Sequence, residues 1–192
     1  MIKKLLEEFF VKRNSNGFEI YNEAGIQHEL AIYLRDELPD HRIMLEYPTS
    51  KVFCPVRLFQ KKEMDIYITH PSGCRILIEL KVPRVNCGTP KEMYHAIEDV
   101  KFSEELKTNG FKSCYCVLLT ERVSFWKAPR AKSGIYFKFN GVEVNINSLV
   151  ADELPNFLIA KGGIKLNNTY YAPWQTFNDA NNVIWKYYIL EF

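Results

Sequence analysis

Asp65 and the tripeptide Glu79-Leu80-Lys81 are the residues of this chain best suited to chemistry. Two carboxylates together with a few water molecules are ligands that Mg²⁺ prefers. A lysine beside such a metal can orient an attacking water, or it can stabilise charge that builds on a phosphate in the transition state. Acting as a base would first require burial and the nearby metal to lower the pKa of Lys81. These residue types therefore allow metal-assisted hydrolysis, with the role of Lys81 left open.

A β-hairpin is predicted to carry these residues. Residues 64–69 and 74–82 are rich in β-branched and aliphatic side chains that alternate with polar ones, as in half-buried strands. Between them, Pro71 presets the φ angle of a type I turn, and Gly73 can adopt the left-handed conformation that closes a three-residue loop. The loop therefore joins the two strands into a tight antiparallel hairpin.

The length of this loop fixes the register of the hairpin. It pairs His70 with Cys74, and counting five residues along each strand brings Asp65 opposite Glu79. Directly opposed side chains lie about 5 Å apart at Cβ. Two carboxylates that close repel each other unless a cation lies between them. We therefore expect a metal site held by Asp65 and Glu79, to which the carbonyl oxygen of Leu80 can add a ligand.

The opposite face of the hairpin is expected to be continuously apolar. The same register gives it the side chains of Met64, Ile66, Ile68, Ile76, Ile78 and Leu80. An alternative interpretation needs no metal: Asp65, Glu79 and Lys81 would then be ordinary salt-bridging residues on an exposed strand face. The hairpin context and the elements around it favour the metal site.

The spacing of Asp65 and Glu79-Leu80-Lys81, with 13 residues between the two acids, resembles the motif of the PD-(D/E)xK nuclease superfamily. Met64 stands where the name of the family has proline, and this changes no ligand. The resemblance covers roughly residues 20–125 and is strongest in the hairpin.

The resemblance implies an α/β (α+β) fold with a restriction-endonuclease-like core, in which helices flank a mixed central β-sheet. It also implies Mg²⁺ as the cofactor, with Mn²⁺ as a substitute, held by Asp65, Glu79 and the carbonyl of Leu80. Whether one or two metal ions act is left open. Double-stranded DNA is the implied substrate.

A glutamate on the helix before the first core strand often faces the metal in this family. Asn22 is predicted to cap such a helix, which runs to Leu38 and is stopped by Pro39. By resemblance, Glu29 is our candidate for a catalytic residue on this helix, because it lies at the edge of the apolar stripe. Glu23 is the alternative candidate. Glu29 can also be interpreted as an ordinary exposed carboxylate without a functional role.

A second predicted helix follows the hairpin. Thr89 is its expected cap, with Glu92 as the capping-box partner, and Asn109-Gly110 is its expected end. Residues 113–121 then form a hydrophobic strand. The resulting order of strand, hairpin, helix and strand is the order of the family core.

Several further residues are weaker candidates. Glu46 lies near the end of the first predicted strand, where the family sometimes has an acidic residue; a surface salt bridge is the alternative. Tyr94 and His95 begin the helix after the hairpin, where family members contact a substrate phosphate; an ordinary helical position is the alternative. The irregular stretch 48–62 offers a basic surface, or merely scattered charges, through Lys51, Arg57, Lys61 and Lys62.

Composition indicates one globular domain. The 192 residues are 47% hydrophobic and 14% aromatic, which suffices for one core. We divide the chain into an N-terminal helix (1–20), the nuclease core (21–125) and a β-rich extension (126–192). In the extension, Asn140-Gly141 predicts a two-residue hairpin turn between strands. The aromatic-rich residues 170–192 either stack bases, bind a partner or pack against the core.

Charge and cysteine content restrict the partners and the compartment. A formal net charge of +2 excludes nucleic-acid binding by bulk positive charge, so DNA affinity has to come from a local surface or from a partner. The five cysteines form no CxxC pair, which argues against zinc and favours reduced thiols. The chain has no apolar run of membrane-spanning length and no signal-peptide pattern. We therefore expect a cytoplasmic protein without a membrane partner.

The function implied by the resemblance is that of a Mg²⁺-dependent, restriction-type DNA endonuclease. Cutting both strands needs two sites, so the expected partner is a larger recognition and nuclease subunit or a second copy of the chain. The sequence shows no separate DNA-reading motif, and in this respect the chain is similar to the small cleavage subunit of a heterodimeric type IIS restriction endonuclease. A homodimeric type II enzyme, a repair or junction nuclease and a non-enzymatic DNA-binding domain are the alternatives.

Overall fold

A mixed β-sheet forms the centre of the fold. The computed structural model describes residues 1–16, 19–54, 59–83, 88–127 and 134–192, with the backbone alone at 13–16. The strands in these ranges are β1 (Arg42–Pro48), β2 (Glu63–Thr69), β3 (Arg75–Lys81), β4 (Ser113–Thr120), β5 (Glu143–Ile146), β6 (Tyr170–Pro173), β7 (Gln175–Asn178) and β8 (Ile184–Glu191). The main sheet has the order β1-β2-β3-β4-β8-β7, and β5 pairs with β6. In the main sheet, β3 and β4 are parallel and the other neighbours are antiparallel.

Helices cover both faces of this sheet. Within the described ranges they are α1 (Ile2–Asn16), α2 (Glu23–Glu37) and α3 (Thr89–Thr108). Apolar side chains of α1 and α2 pack with Ile66 and Ile78 on one face, and those of α3 pack with Tyr67 and Leu77 on the other. The predicted α+β architecture with a mixed, helix-flanked sheet is therefore confirmed. No helix in the described ranges is both long and apolar enough to cross a membrane.

Local sequence signals set most helix ends. The side chain of Asn22 accepts a hydrogen bond from the Gly25 N–H (2.7 Å), so the predicted cap of α2 is confirmed. The predicted cap of α3 was wrong, because Gly88 occupies the N-cap position and Thr89 is the first helical residue. The Thr89 hydroxyl instead accepts a hydrogen bond from Arg122 Nη2 (2.7 Å), beyond the end of β4.

The hairpin has the predicted turn and register. The His70 N–H donates to the Cys74 carbonyl at 3.0 Å, and Gly73 adopts a φ of 84°. The paired residues end at Ile66 and Ile78, and the next two residues, Asp65 and Glu79, are joined by a hydrogen bond from the Asp65 N–H to the Glu79 side chain.

The apolar face of the hairpin is as predicted except at Met64. Ile66, Ile68, Ile76, Ile78 and Leu80 are buried together beneath α1 and α2. Met64 is fully buried in the other cluster, beneath α3. Met64 is still paired with Tyr47 of β1, and both pack in this cluster, whereas the pair of Leu45 and Ile66 packs in the other. The alternation therefore breaks in both strands at the level of Glu46, whose φ of 48° is outside the β region.

The C-terminal residues complete the main sheet. Strands β8 and β7 continue it beyond β4, so much of the β-rich extension belongs to the central sheet itself. The predicted hairpin at Asn140-Gly141 was wrong, since Ile135–Lys138 form a 3₁₀ helix and β5 pairs with β6. Ile135 and Phe139 are buried whereas Phe137 is 47% exposed, a pattern that a strand with alternating faces cannot produce.

Most aromatic side chains near the C-terminus pack in the interior. Trp174, Phe177, Trp185, Tyr187 and Tyr188 are all buried. Tyr171 is 60% exposed. Packing against the core is therefore the observed role of most of these rings.

Candidate active site

The two predicted carboxylates lie where β2 and β3 separate. Beyond the last main-chain pair, the two strands are joined by hydrogen bonds from main-chain N–H groups to side-chain carboxylates. Asp65 Oδ2 accepts a hydrogen bond from the Leu80 N–H (2.8 Å), and Glu79 Oε1 accepts one from the Asp65 N–H (3.2 Å). Each carboxylate therefore fixes the backbone of the neighbouring strand with one oxygen and keeps the other for further contacts.

The remaining oxygens of both carboxylates meet the ammonium group of Lys61. Lys61 Nζ lies 3.5 Å from Asp65 Oδ1 and in direct contact with Glu79 Oε2. It also lies 3.1 Å from Oδ1 of Asp99, which α3 contributes. Three carboxylates thus surround one ammonium. We call Lys61, Asp65, Glu79 and Asp99 the carboxylate cluster.

Asp99 was not anticipated from the sequence, although a signal for it exists. It lies on α3 between Ala96 and Ser103, at the three- and four-residue spacings that share one helix face, and all three residues are buried. Charged residues are seldom fully buried without a partner. An acidic residue in phase with the buried face of the helix after the hairpin was therefore the available clue.

Burial and mutual repulsion perturb the groups of the cluster. Burial, with the charge of Asp65 adding to it, raises the pKa of Glu79, while Lys61 opposes this rise. Burial also raises the pKa of Asp99 to about 6, again against the pull of Lys61. Burial alone would lower the pKa of Lys61, but the charges of Glu79, Asp99 and Asp65 raise it above its usual value. Lys61 is therefore a protonated counter-ion among carboxylates whose ionisation is opposed by burial.

The donor chemistry of the cluster fits a hard divalent cation. Its oxygens all come from carboxylates, which Mg²⁺ and Mn²⁺ prefer over softer ligands. Asp99 Oδ2 is buried and has no hydrogen-bond partner among the described residues. Leaving a buried acceptor unpaired costs about 1–3 kcal/mol. The site therefore holds more ligand capacity than its single ammonium satisfies.

The cluster is not in a metal-coordinating arrangement as it stands. In the described part of the chain, no group of three or more His, Cys, Asp or Glu side chains is arranged to hold a metal ion. The space between the three carboxylates is taken by Lys61 Nζ. The observed contact of Leu80 at this site is its N–H on Asp65, and its carbonyl as a ligand stays a prediction.

Lys81 is held beside the cluster by a glutamate of α2. Its Nζ lies 3.1 Å from Glu23 Oε2, and the same oxygen accepts a hydrogen bond from the Val82 N–H (2.8 Å). Burial alone would lower the pKa of Lys81, but the charges of Asp99 and Glu23 raise it. A lysine held in its charged form suits charge stabilisation or water orientation, rather than general-base catalysis.

The structure does not bring Glu29 to the carboxylate cluster. Glu29 is half-buried and lines a separate shallow pocket together with Tyr21, Asn22, Ala24, Gly25 and His28. Residues advance by about 100° along a helix, so Glu29 is turned about 240° from Glu23. Glu23, the alternative considered from the sequence, is the α2 glutamate that contacts β3.

Gln27 links the cluster to Glu46. Its Nε2 donates to the main-chain carbonyl of Asp65 (2.6 Å) and to Glu46 Oε1 (2.7 Å). Glu46 has a φ of 48°, a left-handed conformation that is uncommon for a residue other than glycine. Glu46 thus lies within the hydrogen-bond network of the site, while Gln27 was not anticipated from the sequence.

The other predicted residues lie elsewhere or are tied to other groups. The Tyr94 hydroxyl donates to the carbonyls of Lys161 and Gly162, and His95 Nε2 lies 3.3 Å from Lys161 Nζ. Of the predicted basic surface, Lys61 belongs to the carboxylate cluster instead. Arg57 lies outside the described residues.

An open cavity of about 560 Å³ is lined by Glu23 and by Val82, the residue after Lys81. Its walls carry four carboxylates, from Glu23, Glu46, Glu121 and Asp179.

Comparisons with protein-family models, curated proteins and solved structures found no match to the chain. The residues and their geometry are therefore the basis for assigning a function.

Proposed function

We propose that the protein is a Mg²⁺-dependent DNA endonuclease of restriction type. The main observation in support is the convergence of the Asp65, Glu79 and Asp99 carboxylates on one point. Lys81, two residues after Glu79, is held next to them by Glu23. Three acids facing a shared cation position beside a charged lysine have the composition of a metal-assisted phosphodiesterase site.

The topology is consistent with the PD-(D/E)xK core. The described elements run α2, β1, β2, β3, α3, β4, with the hairpin of β2 and β3 beside the parallel pair of β3 and β4. This is the order that the resemblance implies. It puts the predicted Asp and Glu on adjacent strands at the point where those strands separate.

Each residue of the site has its own role in the proposed reaction. Asp65, Glu79 and Asp99 would hold a divalent cation, which when bound lowers the pKa of a water molecule and neutralises phosphate charge. Lys81 offsets the negative charge that develops on the phosphate as water attacks in line, and family analogy gives a 5′-phosphate and a 3′-hydroxyl. Glu23 positions the Lys81 ammonium.

Main-chain contacts complete this arrangement. The Leu80 N–H fixes the orientation of the Asp65 carboxylate, and Gln27 holds the Asp65 carbonyl. The two contacts approach Asp65 from β3 and from α2, so this residue is held by two separate elements. Such preorganisation removes a reorganisation cost from the reaction.

The charge around the site favours action together with a partner. The cavity lined by Glu23 and Val82 carries several acidic residues, which repel a DNA backbone. The formal net charge of the chain is only +2. We therefore propose that a larger recognition subunit supplies most of the DNA affinity and that this chain is the cleavage subunit; a homodimer reading its own site is the second arrangement.

A plasmid assay tests this proposal. The purified chain is incubated with supercoiled plasmid in Mg²⁺, Mn²⁺ or EDTA, beside Asp65→Asn, Lys81→Met and the exposed control Asp36→Asn. Metal-dependent cutting that Asp65→Asn and Lys81→Met lose and Asp36→Asn keeps is the expected result. Random nicking fits a cleavage subunit, and discrete fragments fit a self-sufficient enzyme. Cutting that survives both active-site substitutions would contradict the proposal.

A further inference from the structure

We propose that Lys61 is an internal competitor for the divalent cation. Its ammonium fills the carboxylate cluster, and it has to leave before a cation can bind there. The inference rests on the proposed function, because it takes the cluster as the cation site. It adds a role for Lys61 and assigns Asp99 as the third carboxylate ligand.

The ammonium and a cation would compete for the same oxygens. Lys61 contacts Asp65 Oδ1, Glu79 Oε2 and Asp99 Oδ1. The second oxygens of Asp65 and Glu79 are already engaged with main-chain N–H groups. For Asp65 and Glu79, the oxygens that face Lys61 are therefore the ones that both occupants need, and the two states exclude each other.

The ammonium satisfies the cluster only in part. It brings one positive charge to three carboxylates, and Asp99 Oδ2 stays buried without a partner among the described residues. Asp99 itself is almost fully buried, its exposed fraction being 5%. A divalent cation brings twice the charge and accepts more oxygen ligands. Exchange of Lys61 for a cation therefore improves the charge balance of the cluster.

The chain around Lys61 allows its side chain to leave alone. The preceding residue, Gln60, is attached to α3 at two points: its N–H donates to Glu105 Oε2 (2.7 Å) and its Nε2 donates to Glu98 Oε1 (3.0 Å). Lysine has a flexible four-carbon stem. The backbone of this segment can thus stay in place while the ammonium moves out of the cluster.

Displacement also changes the charge at the surface of the site. Lys61 is 27% exposed at its side chain, whereas Glu79 is fully buried. A displaced ammonium moves toward solvent on the open side of the cluster. Cation binding therefore releases a positive charge beside the position where a phosphate would approach, so that loading of the site and attraction of DNA are coupled.

Cation binding without DNA tests the inference. The proteins are the wild type, Lys61→Met, Glu79→Gln and the matched control Lys62→Met, which changes an exposed neighbouring lysine. The readouts are calorimetric titration with Mg²⁺ and the rise of Tm with Mg²⁺ concentration. If Lys61 fills the site in about nine of ten wild-type molecules, Lys61→Met lowers the Mg²⁺ midpoint about tenfold. Lys62→Met should match the wild type, and Glu79→Gln should abolish the response.

The outcomes separate this inference from the proposed function. A midpoint in Lys61→Met equal to or above that of the wild type, with the response still lost in Glu79→Gln, would overturn the competitor role and leave the cation site standing. No Mg²⁺ response in any of these proteins would overturn both.

A measurement on the wild type covers the case in which Lys61→Met does not fold. Amine acylation followed by mass spectrometry reports how accessible each lysine is, with Lys62 as the internal reference. Lys61 should be protected in EDTA and should become reactive in Mg²⁺, while Lys62 reacts equally in both. Reactivity of Lys61 that does not change with Mg²⁺ would contradict displacement.

Discussion

The Lys81 ammonium and the Glu23 carboxylate form an ion pair of 3.1 Å between the end of β3 and the start of α2. The same Glu23 oxygen accepts the Val82 N–H, so the carboxylate is bound to both the side chain and the backbone of this segment. The side chain of Lys81 is only 18% exposed, which shields the pair in part from solvent. The pair places Lys81 next to the carboxylate cluster.

Replacing Glu23 should impair catalysis more than replacing Glu29. Glu23→Gln removes a charge-assisted contact that positions Lys81, so we expect the cleavage rate to fall about 10- to 100-fold. Glu29→Gln should leave the rate within about twofold, since Glu29 lines a pocket separate from the carboxylate cluster. Initial rates of plasmid cleavage provide the comparison. A larger loss in Glu29→Gln would restore Glu29 as the functional residue.

Gln27 should matter for both stability and activity. Gln27→Ala leaves the Asp65 carbonyl and Glu46 without their donor, so the free energy of unfolding should fall by about 1–3 kcal/mol. Asp65 then loses its contact with α2, and cleavage should slow in conditions where the variant is fully folded. Urea unfolding and rate measurements test this, with His28→Ala as the exposed control on the same helix. Unchanged stability in Gln27→Ala would contradict the network.

Replacing the glycine of the hairpin turn should change the stability of the protein and leave its activity unchanged. Gly73 has a φ of 84° and open space around its Cα, so Gly73→Ala is opposed only by backbone strain of about 1–2 kcal/mol. Gly88 also has open space but a φ of −61°, so Gly88→Ala is a control without left-handed strain. The loss of glycine at the N-cap is offset by the lower unfolded-state entropy of alanine, and the net change should be within about 0.5 kcal/mol. Urea unfolding measures both. Equal losses in the two variants would show that the turn is not strained.

The paired histidines at the end of the hairpin should make stability depend on pH. The rings of His41 and His70 lie 4.8 Å apart, and burial, with the charge of His70, lowers the pKa of His41 below 6.5. A histidine whose pKa is lower in the folded state binds fewer protons there, so it destabilises the fold as pH drops below 6.5. The wild type should therefore lose more stability than His41→Gln between neutral and acidic pH. Parallel pH profiles in denaturant unfolding would rule this out.

The local parts of the fold and site were predictable from the sequence. The hairpin register follows from Pro71 and Gly73 together with the alternation of apolar residues, and these signals lie within a few residues of each other. Asn22 as the cap of α2 is equally local. Because one turn fixes which residues face each other, the sequence alone predicts the pairing of Asp65 with Glu79.

The remaining parts depend on contacts between distant segments. Asp99 reaches Lys61 across 38 residues. The buried face of α3 also carries Glu92 and Glu104, so the helical phase of Asp99 is a clue that does not by itself select the acid that reaches the hairpin. The turn signal at Asn140-Gly141 was overridden because burial of Ile135 and Phe139 favours a helical turn. Lys61 was predicted as part of a basic surface because its sequence neighbours are basic, whereas its actual partners are acids from β2, β3 and α3.

The central claim is that Asp65, Glu79 and Asp99 form a divalent-cation site. Anomalous diffraction from crystals of the chain soaked in Mn²⁺ tests it directly and needs no partner subunit. We predict one anomalous peak between these three carboxylates at about 2.0–2.6 Å from their oxygens, the range of oxygen ligands to hard cations. The peak should be absent in Glu79→Gln. A Mn²⁺-soaked crystal in which Lys61 still fills the cluster and the peak lies elsewhere would contradict the claim.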